Sequence, residues 1–547
     1  RSSAASDVYK RQDYRKQQEW RNNMASTFFG LSISYKGLQA AQTSITTSAH
    51  NLSNINTEGY TKQSAELKAA DSLRTFSSYG TIGAGVDVVG INQTRDSYYD
   101  QKYRNNMSNY GQYESKNNYM TQIEDYLNEF ILNGFSKEYS NFFSAVNQLT
   151  ITPSDESAKN QLINNAKSMS DYFNTLSTNL RNVQSDANNE IKDTVDHINT
   201  LAQNITSLNK QINQIEACYG DANDLRDQRN ALVDNLSKYI NISTNETPIA
   251  NGLTSFQITV NGQSLVNNYD YKTLEVVART QKRNASDAEG LYDIQWSDDD
   301  PFDIYSSSLG GQLKALVDIR DGCNGEIESV ATDADGSYKL DDDGNRVTET
   351  NPQASANVNY KGIPYYQSQL NQFIQTFSQA VNNIFKSGYV SDAKTEDAAN
   401  KGIALFVVGD NSKTLTASTV SVNSELLKDA NKLATKTTVS EGEGSASIMD
   451  KLNALQKERL FDGGTGSYFL ETIVSDMSID ASKAKTFLTN YNNMKTTIQN
   501  QRLSVMGVDT DEEAMDIMKF QQAYNLNSKM MSVMNQIYDK LINQTGL

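Results

Sequence analysis

The chain has 547 residues and is acidic, with 49 lysines and arginines against 66 aspartates and glutamates, for a net charge of -17. This length is enough for about three or four domains. The negative charge disfavours nucleic acid and anionic membrane surfaces as partners. The two cysteines, Cys218 and Cys323, are too few for a disulfide framework and lack the paired spacing of a zinc site.

The first 23 residues differ from the rest of the chain in charge. They carry six basic and three acidic residues and show no sustained helical stripe. The first methionine is Met24, where an apolar pattern begins, so we expect residues 1–23 to be a non-native extension. No conventional secretory signal and no run of about 18 apolar residues occurs, so we expect export by another route and no membrane insertion.

Residues 24–70 are predicted to form a terminal helix followed by a loop motif. Apolar residues recur there every seven positions in two interleaved rows, the pattern of a helix that packs against other helices. These residues are Phe28, Leu31, Tyr35, Leu38, Ile45 and Leu52.

Residues 71–242 are predicted to form the first part of a helical shaft. Thr152, Pro153 and Asp155 indicate a helix start, because the missing N–H of proline costs nothing in a first turn. An apolar stripe then runs from Leu162 to Ile215 with one phase slip, which predicts a helix roughly 80 Å long.

Two later segments change from a helical to an alternating period. Phe256, Ile258 and Val260 alternate with polar residues before Asn261-Gly262, a hairpin-turn signal, so a β-rich insertion is predicted at residues 243–308. A helical return with an acidic hairpin (309–400), a second small β-rich region (401–445) and the last part of the helical shaft (446–506) are predicted to follow in that order.

Residues 507–547 mirror the pattern of the N-terminal helix. Thr510 and Glu513 are predicted to form a capping box at the start of a C-terminal helix. Its apolar row comprises Ile517, Phe520, Tyr524, Met531, Met534, Tyr538 and Leu541. The predicted fold is therefore mainly α and multi-domain, with paired terminal heptad helices, a long helical-bundle shaft and protruding β domains.

The sequence indicates no catalytic, cofactor-binding or metal site. The two histidines, His50 and His197, do not form a His-Glu-x-x-His motif, and His197 is predicted to lie at the edge of a helix seam. The acidic turns at residues 333–336 and 341–344 lack a full calcium loop with its distal glutamate. Aspartate-glycine turns around a hairpin are favoured there.

The first helix ends in a string rich in asparagine, from Asn51 to Tyr60. Asparagine side chains can bond a backbone that leaves a helix, and Gly59 permits a positive φ. The string closely resembles the signature of bacterial flagellar axial proteins, the family of rod, hook and hook-associated proteins, with His50 and Ser53 as departures. The run 520–529 resembles the C-terminal signature of the same family. The positions that match the first signature are Asn51, Asn54, Asn56, Thr57, Gly59 and Tyr60.

Internal segments at residues 224–232, 309–313 and 369–372 are similar to the hook-associated members of this family. The resemblance implies a structural, extracellular protein of the bacterial flagellum that forms a ring joining hook to filament. The implied partners are copies of the chain itself, the hook protein, another hook-associated protein on the filament side, and an export chaperone. The alternatives are another axial protein, such as the hook protein, or a secreted adhesin or hydrolase acting through the β insertion.

Overall fold

A computed structural model describes the chain at residues 29–74, 81–127, 134, 136–218, 220–249, 253–342, 344–351, 359–409, 413–461 and 464–544. The expected extension at residues 1–23 and the predicted seam residue Phe28 lie outside these ranges. None of the helices in the described ranges combines the length and the hydrophobicity that a membrane span needs.

Helices make up most of the fold, with small antiparallel sheets between them, so the predicted mainly α class with β insertions is confirmed. The helices are α1 (Phe29–Ser53), α2 (Ser97–Leu127), α3 (Ser136–Ile151), α4 (Glu156–Glu216), α5 (Asn223–Tyr239), α6 (Gly311–Asp321), α7 (Ile363–Lys386), α8 (Ser424–Lys428), α9 (Ser447–Leu455), α10 (Gly466–Met506) and α11 (Thr510–Asn543). The strands are β1 (Gln63–Ala69), β2 (Leu73–Arg74), β3 (Thr81–Ile82), β4 (Val86–Gln93), β5 (Ser243–Pro248), β6 (Thr254–Val260), β7 (Gln263–Asn267), β8 (Asp270–Tyr271), β9 (Leu274–Ala278), β10 (Tyr292–Trp296), β11 (Ile327–Val330), β12 (Thr348–Asn351), β13 (Tyr389–Val390), β14 (Phe406–Val408), β15 (Val420–Val422) and β16 (Ala434–Lys436).

Helix α4 is a single helix of 61 residues, about 90 Å long at 1.5 Å per residue. It confirms the predicted long helix, and the phase slip in its stripe does not interrupt it. The helix begins after Asp155, whose side chain accepts a hydrogen bond from the Ser157 N–H at 3.0 Å, rather than at Pro153. Its apolar stripe is buried in the main core, where Phe173 stacks on Phe373 of α7 with ring centroids 5.4 Å apart.

Strands β5 to β8 form a four-stranded sheet in chain order. Asn261 and Gly262 join β6 to β7 with φ angles of 49° and 80°, as a two-residue hairpin turn of this kind requires. The predicted hairpin is therefore confirmed. Side chains of α4 fix this region to the shaft, since the Asn209 Nδ2 donates to the Asn268 carbonyl at 3.0 Å and the Asn213 Nδ2 donates to the Thr254 carbonyl at 2.9 Å.

A β-hairpin that the sequence analysis did not predict lies between α1 and α2. Strands β1 and β4 pair from Gln63↔Gln93 to Ala69↔Val86, and helix resumes only at Ser97, although a helical shaft was expected from residue 71. The hairpin lies along α1, where the Lys36 Nζ is 2.7 Å from the Asp87 Oδ1. These tertiary contacts override the helix-favouring residues of β1.

The start of α11 also differs from the prediction. Asp509 is its N-cap, and this side chain accepts hydrogen bonds from the N–H groups of Asp511 and Glu512 at 2.9 and 3.1 Å. The predicted capping box of Thr510 and Glu513 is wrong, because the Glu513 side chain is buried against the end of α1 instead.

Candidate functional site

The two terminal helices, α1 and α11, run antiparallel and approach each other closely. Gly30 lies against Met534, and a Cβ atom on Gly37 would stand only 2.7 Å from the Asn527 Oδ1. The side of α1 that continues from these glycines in heptad steps is buried and made of small residues, which permit close backbone approach. This small-residue seam comprises Gly30, Ser34, Gly37, Ala41, Ser44, Ser48 and Asn51.

The apolar row predicted on α1 is offset by one position from the small-residue seam. Leu31, Leu38 and Ile45 are half-buried, whereas Tyr35 is 52 % exposed and Leu52 is 36 % exposed. The heptad spacing therefore belongs to two adjacent rows on α1. The row that meets α11 is the small one, and the large apolar row lies beside it.

The row predicted on α11 lies on the side that meets α1. Six members of this row are half-buried and lie in helical phase with Asn527. They are Ile517, Phe520, Tyr524, Met531, Met534 and Tyr538. Leu541 is 52 % exposed, and it lies about two turns beyond Met534, the residue that lies against Gly30.

A second apolar row on α11 faces away from α1, and the sequence analysis missed it. Its six side chains are between 49 % and 63 % exposed. A search for stripes at a second phase of the same helix would have found it. We call it the outer row, and it comprises Met515, Met518, Leu526, Met530, Val533 and Ile537.

Asn51 connects the end of α1 to both the hairpin and α11. Its fully buried side-chain amide donates to the Gln63 carbonyl at 2.8 Å and to the Glu513 Oε1 at 3.0 Å. Its Oδ1 accepts from the Tyr60 hydroxyl at 2.8 Å and from the Gln63 N–H at 3.0 Å. Four hydrogen bonds thus use the full capacity of this amide, which fixes where the chain turns back along α1.

Lys62 makes a further bridge between the loop motif and α11. Its Nζ lies 2.7 Å from the Glu512 Oε2 and 3.4 Å from the Glu513 Oε1, and its backbone N–H donates to the Met506 carbonyl at 2.8 Å. Partial burial lowers the pKa of Lys62, but the hydrogen bond to Glu512 and the charge of Glu513 outweigh it and raise the pKa. Lys62 is therefore held as a cation between α10 and α11.

Asp227, from the internal segment at residues 224–232, anchors the loop motif to the body of the protein. Its buried carboxylate accepts from the Thr61 N–H at 2.9 Å, from the Gln93 side-chain amide at 2.6 Å and from Arg95 at 2.9 Å. Burial raises its pKa despite these donors. Asp224 of the same segment accepts from the Gln63 Nε2 at 2.8 Å and lies 3.2 Å from the His50 Nε2.

Two sequence signals, the loop motif and the internal segment at residues 224–232, therefore meet the start of α11 at one place, which we call the joint. It comprises the loop motif after α1, the first turns of α5 and the first turn of α11. Tyr60 lies at its centre, where burial and then the charges of Asp224, Asp227 and Glu513 raise the pKa of its hydroxyl well above the usual value.

A network of ion pairs lies next to the joint, and the sequence analysis missed it. Arg502 of α10 lies 2.7 Å from Asp100 of α2 and 2.6 Å from Asp234 of α5. Asp234 also pairs with Arg104 at 2.7 Å, and Asp100 pairs with Arg95 at 2.6 Å. Although burial raises the pKa of Asp100, the charges of Arg95 and Arg502 outweigh it and lower the pKa. The network thus links α2, α5 and α10 below the terminal helices.

The remaining motif residues shape the loop itself. The Asn54 Nδ2 donates to the His50 carbonyl at 3.1 Å, and the Thr57 hydroxyl donates to the Asn54 Oδ1 at 3.2 Å. Gly59 has a φ of 81° and lies against Ala231 of α5, where a Cβ would stand 3.3 Å from the alanine Cβ. Asn56 and Thr57 are exposed.

The other candidate chemical groups have local structural partners. His197 stacks on Tyr239 with ring centroids 5.7 Å apart. Gly336 and Gly344 have positive φ angles in the acidic hairpin, and the Asp335 and Asp341 carboxylates accept from the N–H groups of Ser337 and Asn345. Among the described residues, no group of three histidine, cysteine or acidic side chains could hold a metal ion.

Comparison with known proteins connects this geometry to a family. A family model described as the flagellar hook-associated protein FlgK helical domain matches residues 120–406, and one described as the flagellar basal body rod FlgEFG protein C-terminal matches residues 499–544. The second match covers all of α11 and the last residues of α10.

Similar proteins of full length carry the same description. Flagellar hook-associated protein 1 of Bacillus subtilis is 28 % identical, covering 96 % of this chain and 99 % of the relative. The Salmonella typhimurium protein of that name is 25 % identical, covering 94 % and 99 %. A solved structure of the flagellar hook junction protein FlgK from Burkholderia pseudomallei has a TM-score of 0.57 at 13 % identity, covering 74 % of this chain and 100 % of the other, a likeness of fold.

Proposed function

This chain belongs to the family of flagellar hook-associated protein FlgK, and we propose that the exposed apolar faces of its terminal helices bind neighbouring copies in the flagellum. The protein is a structural component of the flagellar hook–filament junction, in an extracellular appendage, and it is not an enzyme. The alternative of a secreted adhesin or hydrolase is therefore not retained.

The observation that supports this proposal is the outer row of α11. Soluble proteins rarely expose several large apolar side chains on one face of a helix unless that face binds another surface. Burying these six half-exposed side chains against a neighbour would contribute about 6 kcal/mol to the free energy of association, at roughly 1 kcal/mol each. The large apolar row of α1, with Tyr35 and Leu52, offers a second surface next to the small-residue seam.

A pair of helices with two different apolar faces can bind one neighbour on each side. Such a contact joins unlike surfaces, so repetition closes a ring or continues as a helix of subunits. We propose a ring of copies that contacts the hook protein on one side and another hook-associated protein on the other. Passage through the flagellum with the help of an export chaperone is part of the same proposal.

The joint supports this arrangement because it fixes the terminal pair to the body. Asn51, Lys62 and Asp227 together join α1, α5, α10 and α11 through buried or half-buried polar contacts. We propose that these contacts set the direction in which the outer row is presented, and that the body between the termini spaces and decorates the ring.

The proposal is tested by placing charge on the outer row. The double variant Met518→Asp/Leu526→Asp should fail to bind purified hooks in electron microscopy and fail to restore motility to cells that lack the protein. A matched control is Ile151→Asp, since Ile151 is an apolar side chain of the body that is 75 % exposed. Normal hook binding by the double variant, or equal loss by the control, would contradict the proposal.

A further inference from the structure

Two buried carboxylates lie where three segments of the body meet. Asp287 is 1 % exposed and lies in the connection between β9 and β10, and Glu328 is 7 % exposed and lies in β11. The third segment is α7, which carries Asn371 against Glu328. Neither carboxylate takes part in the joint or in the terminal helices.

The connection that carries Asp287 is held to the long helix α4. The Gln184 Nε2 donates to the Asp287 Oδ1 at 2.9 Å, and the Ala288 N–H donates back to the Gln184 Oε1 at 2.8 Å. The Asn284 N–H donates to the Asp287 Oδ2 at 2.9 Å and closes a local turn. Each of these donors is neutral.

Glu328 is held in the same way at the base of the acidic hairpin. Its Oε2 accepts from the Asn371 Nδ2 at 3.0 Å, and Thr348 of β12 gives it a second side-chain hydrogen bond. The Ala285 N–H donates to the Glu328 carbonyl at 2.9 Å, so β11 and the connection that carries Asp287 are bonded directly to each other. The β11–β12 sheet therefore rests on α7 and on this connection.

Arg279 and Arg320 pair with a third carboxylate, Asp321. Burial raises the pKa of Asp287, the charge of Asp321 raises it further, and the charge of Arg279 lowers it. Arg279 lies 2.7 Å from Asp321 of α6, and Arg320 lies 2.6 Å from the same group. Within the described part of the chain, the hydrogen-bond donors to Asp287 and Glu328 are neutral, and burial and the charge of Asp287 both raise the pKa of Glu328. Ionising both at once is unfavourable in such a site.

We propose that Asp287 and Glu328 form a proton-dependent clamp: the β11–β12 sheet is seated on α7 while the pair holds a proton, and it opens more readily when both groups are ionised. The sign follows from the burial, which raises the pKa of Glu328 to about 7 and raises that of Asp287. Because these groups have a higher pKa in the seated state than in the open state, protonation stabilises the seated state. This stabilisation has its full value at pH values below the pKa of the open state. It is lost as pH rises through the pKa of the seated state.

Hydrogen exchange of the full chain at pH 5.5 and pH 8, corrected for intrinsic rates, tests the clamp. Protection of β11 and β12 amides should fall more than tenfold over this interval, relative to amides of α4 in the same sample. Glu328→Gln should remove most of this pH dependence and leave only the part that is due to Asp287. Glu349→Gln, which changes an exposed carboxylate of the adjoining strand β12, should keep the full pH dependence.

Several outcomes would overturn the clamp. One is equal protection of β11–β12 relative to α4 at both pH values in the unaltered chain. Another is a pH dependence of undiminished size in Glu328→Gln, or an equal reduction in the Glu349→Gln control. Should Glu328→Gln fail to fold, Asp287→Asn provides a second neutral variant, and the measurement on the unaltered chain still decides. Assembly through the terminal helices can succeed or fail independently of these results.

Discussion

Replacing Asp227 with asparagine would test how firmly the joint holds the β1–β4 hairpin to the body. The substitution keeps the shape of the side chain but puts a donor where an acceptor stands. Thr61, Gln93 and Arg95 all donate to this carboxylate in the folded protein. After the change, at least two of these donors would face an N–H₂ group or lose a charged acceptor.

The size of the effect follows from burial. A hydrogen bond to a charged group contributes about 1.5 to 3 kcal/mol, and a buried donor left without an acceptor costs about 1 to 3 kcal/mol. Arg95 keeps Asp100 at 2.6 Å, which limits the loss on that side. We therefore expect Asp227→Asn to lower the free energy of opening of the hairpin by about 3 kcal/mol, or more than 100-fold in protection.

Native-state hydrogen exchange of the β1 and β4 amides would measure this change. The matched control is Asp221→Asn, because Asp221 is exposed and accepts a single bond from the Ile91 N–H of the same hairpin, at 2.8 Å. The control should lower the free energy of opening of the hairpin by less than about 1 kcal/mol. Equal losses for the two variants, or no loss for Asp227→Asn, would refute the view that this carboxylate anchors the hairpin.

Three further variants test other parts of the structure. Asn51→Ala should reduce hook binding at least tenfold in a pull-down with purified hooks. Asn56→Ala changes an exposed position of the same motif and should bind normally. Equal hook binding by the two variants would refute the role of Asn51. Gly37→Val should also reduce hook binding, because its Cβ would meet Asn527, and binding equal to that of the unaltered chain would contradict the close approach of the helices. Lys159→Met should leave the free energy of unfolding in urea within about 1 kcal/mol of that of the unaltered chain, or raise it. The reason is that burial lowers the pKa of Lys159, whose hydrogen-bond partners Ser391 and Asn431 are neutral. A loss of more than about 2 kcal/mol would contradict this expectation.

The elements best predicted from the sequence are those with strong local signals. The stripe of α4 and the turn at Asn261-Gly262 each determine their structure through residues close together in the chain. The β1–β4 hairpin has no such signal, because Gln63–Ala69 contains alanine, glutamate, leucine and lysine, which favour helix. Contacts with α1 determine its structure instead.

The joint could not be predicted because its partners are far apart in sequence. Asn51 and Glu513 are separated by 462 positions, and Thr61 and Asp227 by 166. The sequence motifs identified several of these residues, but they did not indicate which residues contact each other. The heptad spacing likewise gave the period of α1 but not which of two adjacent rows meets α11, since glycine, serine and alanine carry little hydrophobic signal.

The chemistry of the outer row has a consequence for the durability of the proposed assembly. Three of its six side chains, Met515, Met518 and Met530, are methionines, whose unbranched thioethers adapt to neighbours of different shape. The same sulfur atoms are open to peroxide and hypochlorous acid before assembly. Because methionine sulfoxide is polar, oxidation would change half of the side chains of the outer row from apolar to polar while leaving the helix intact.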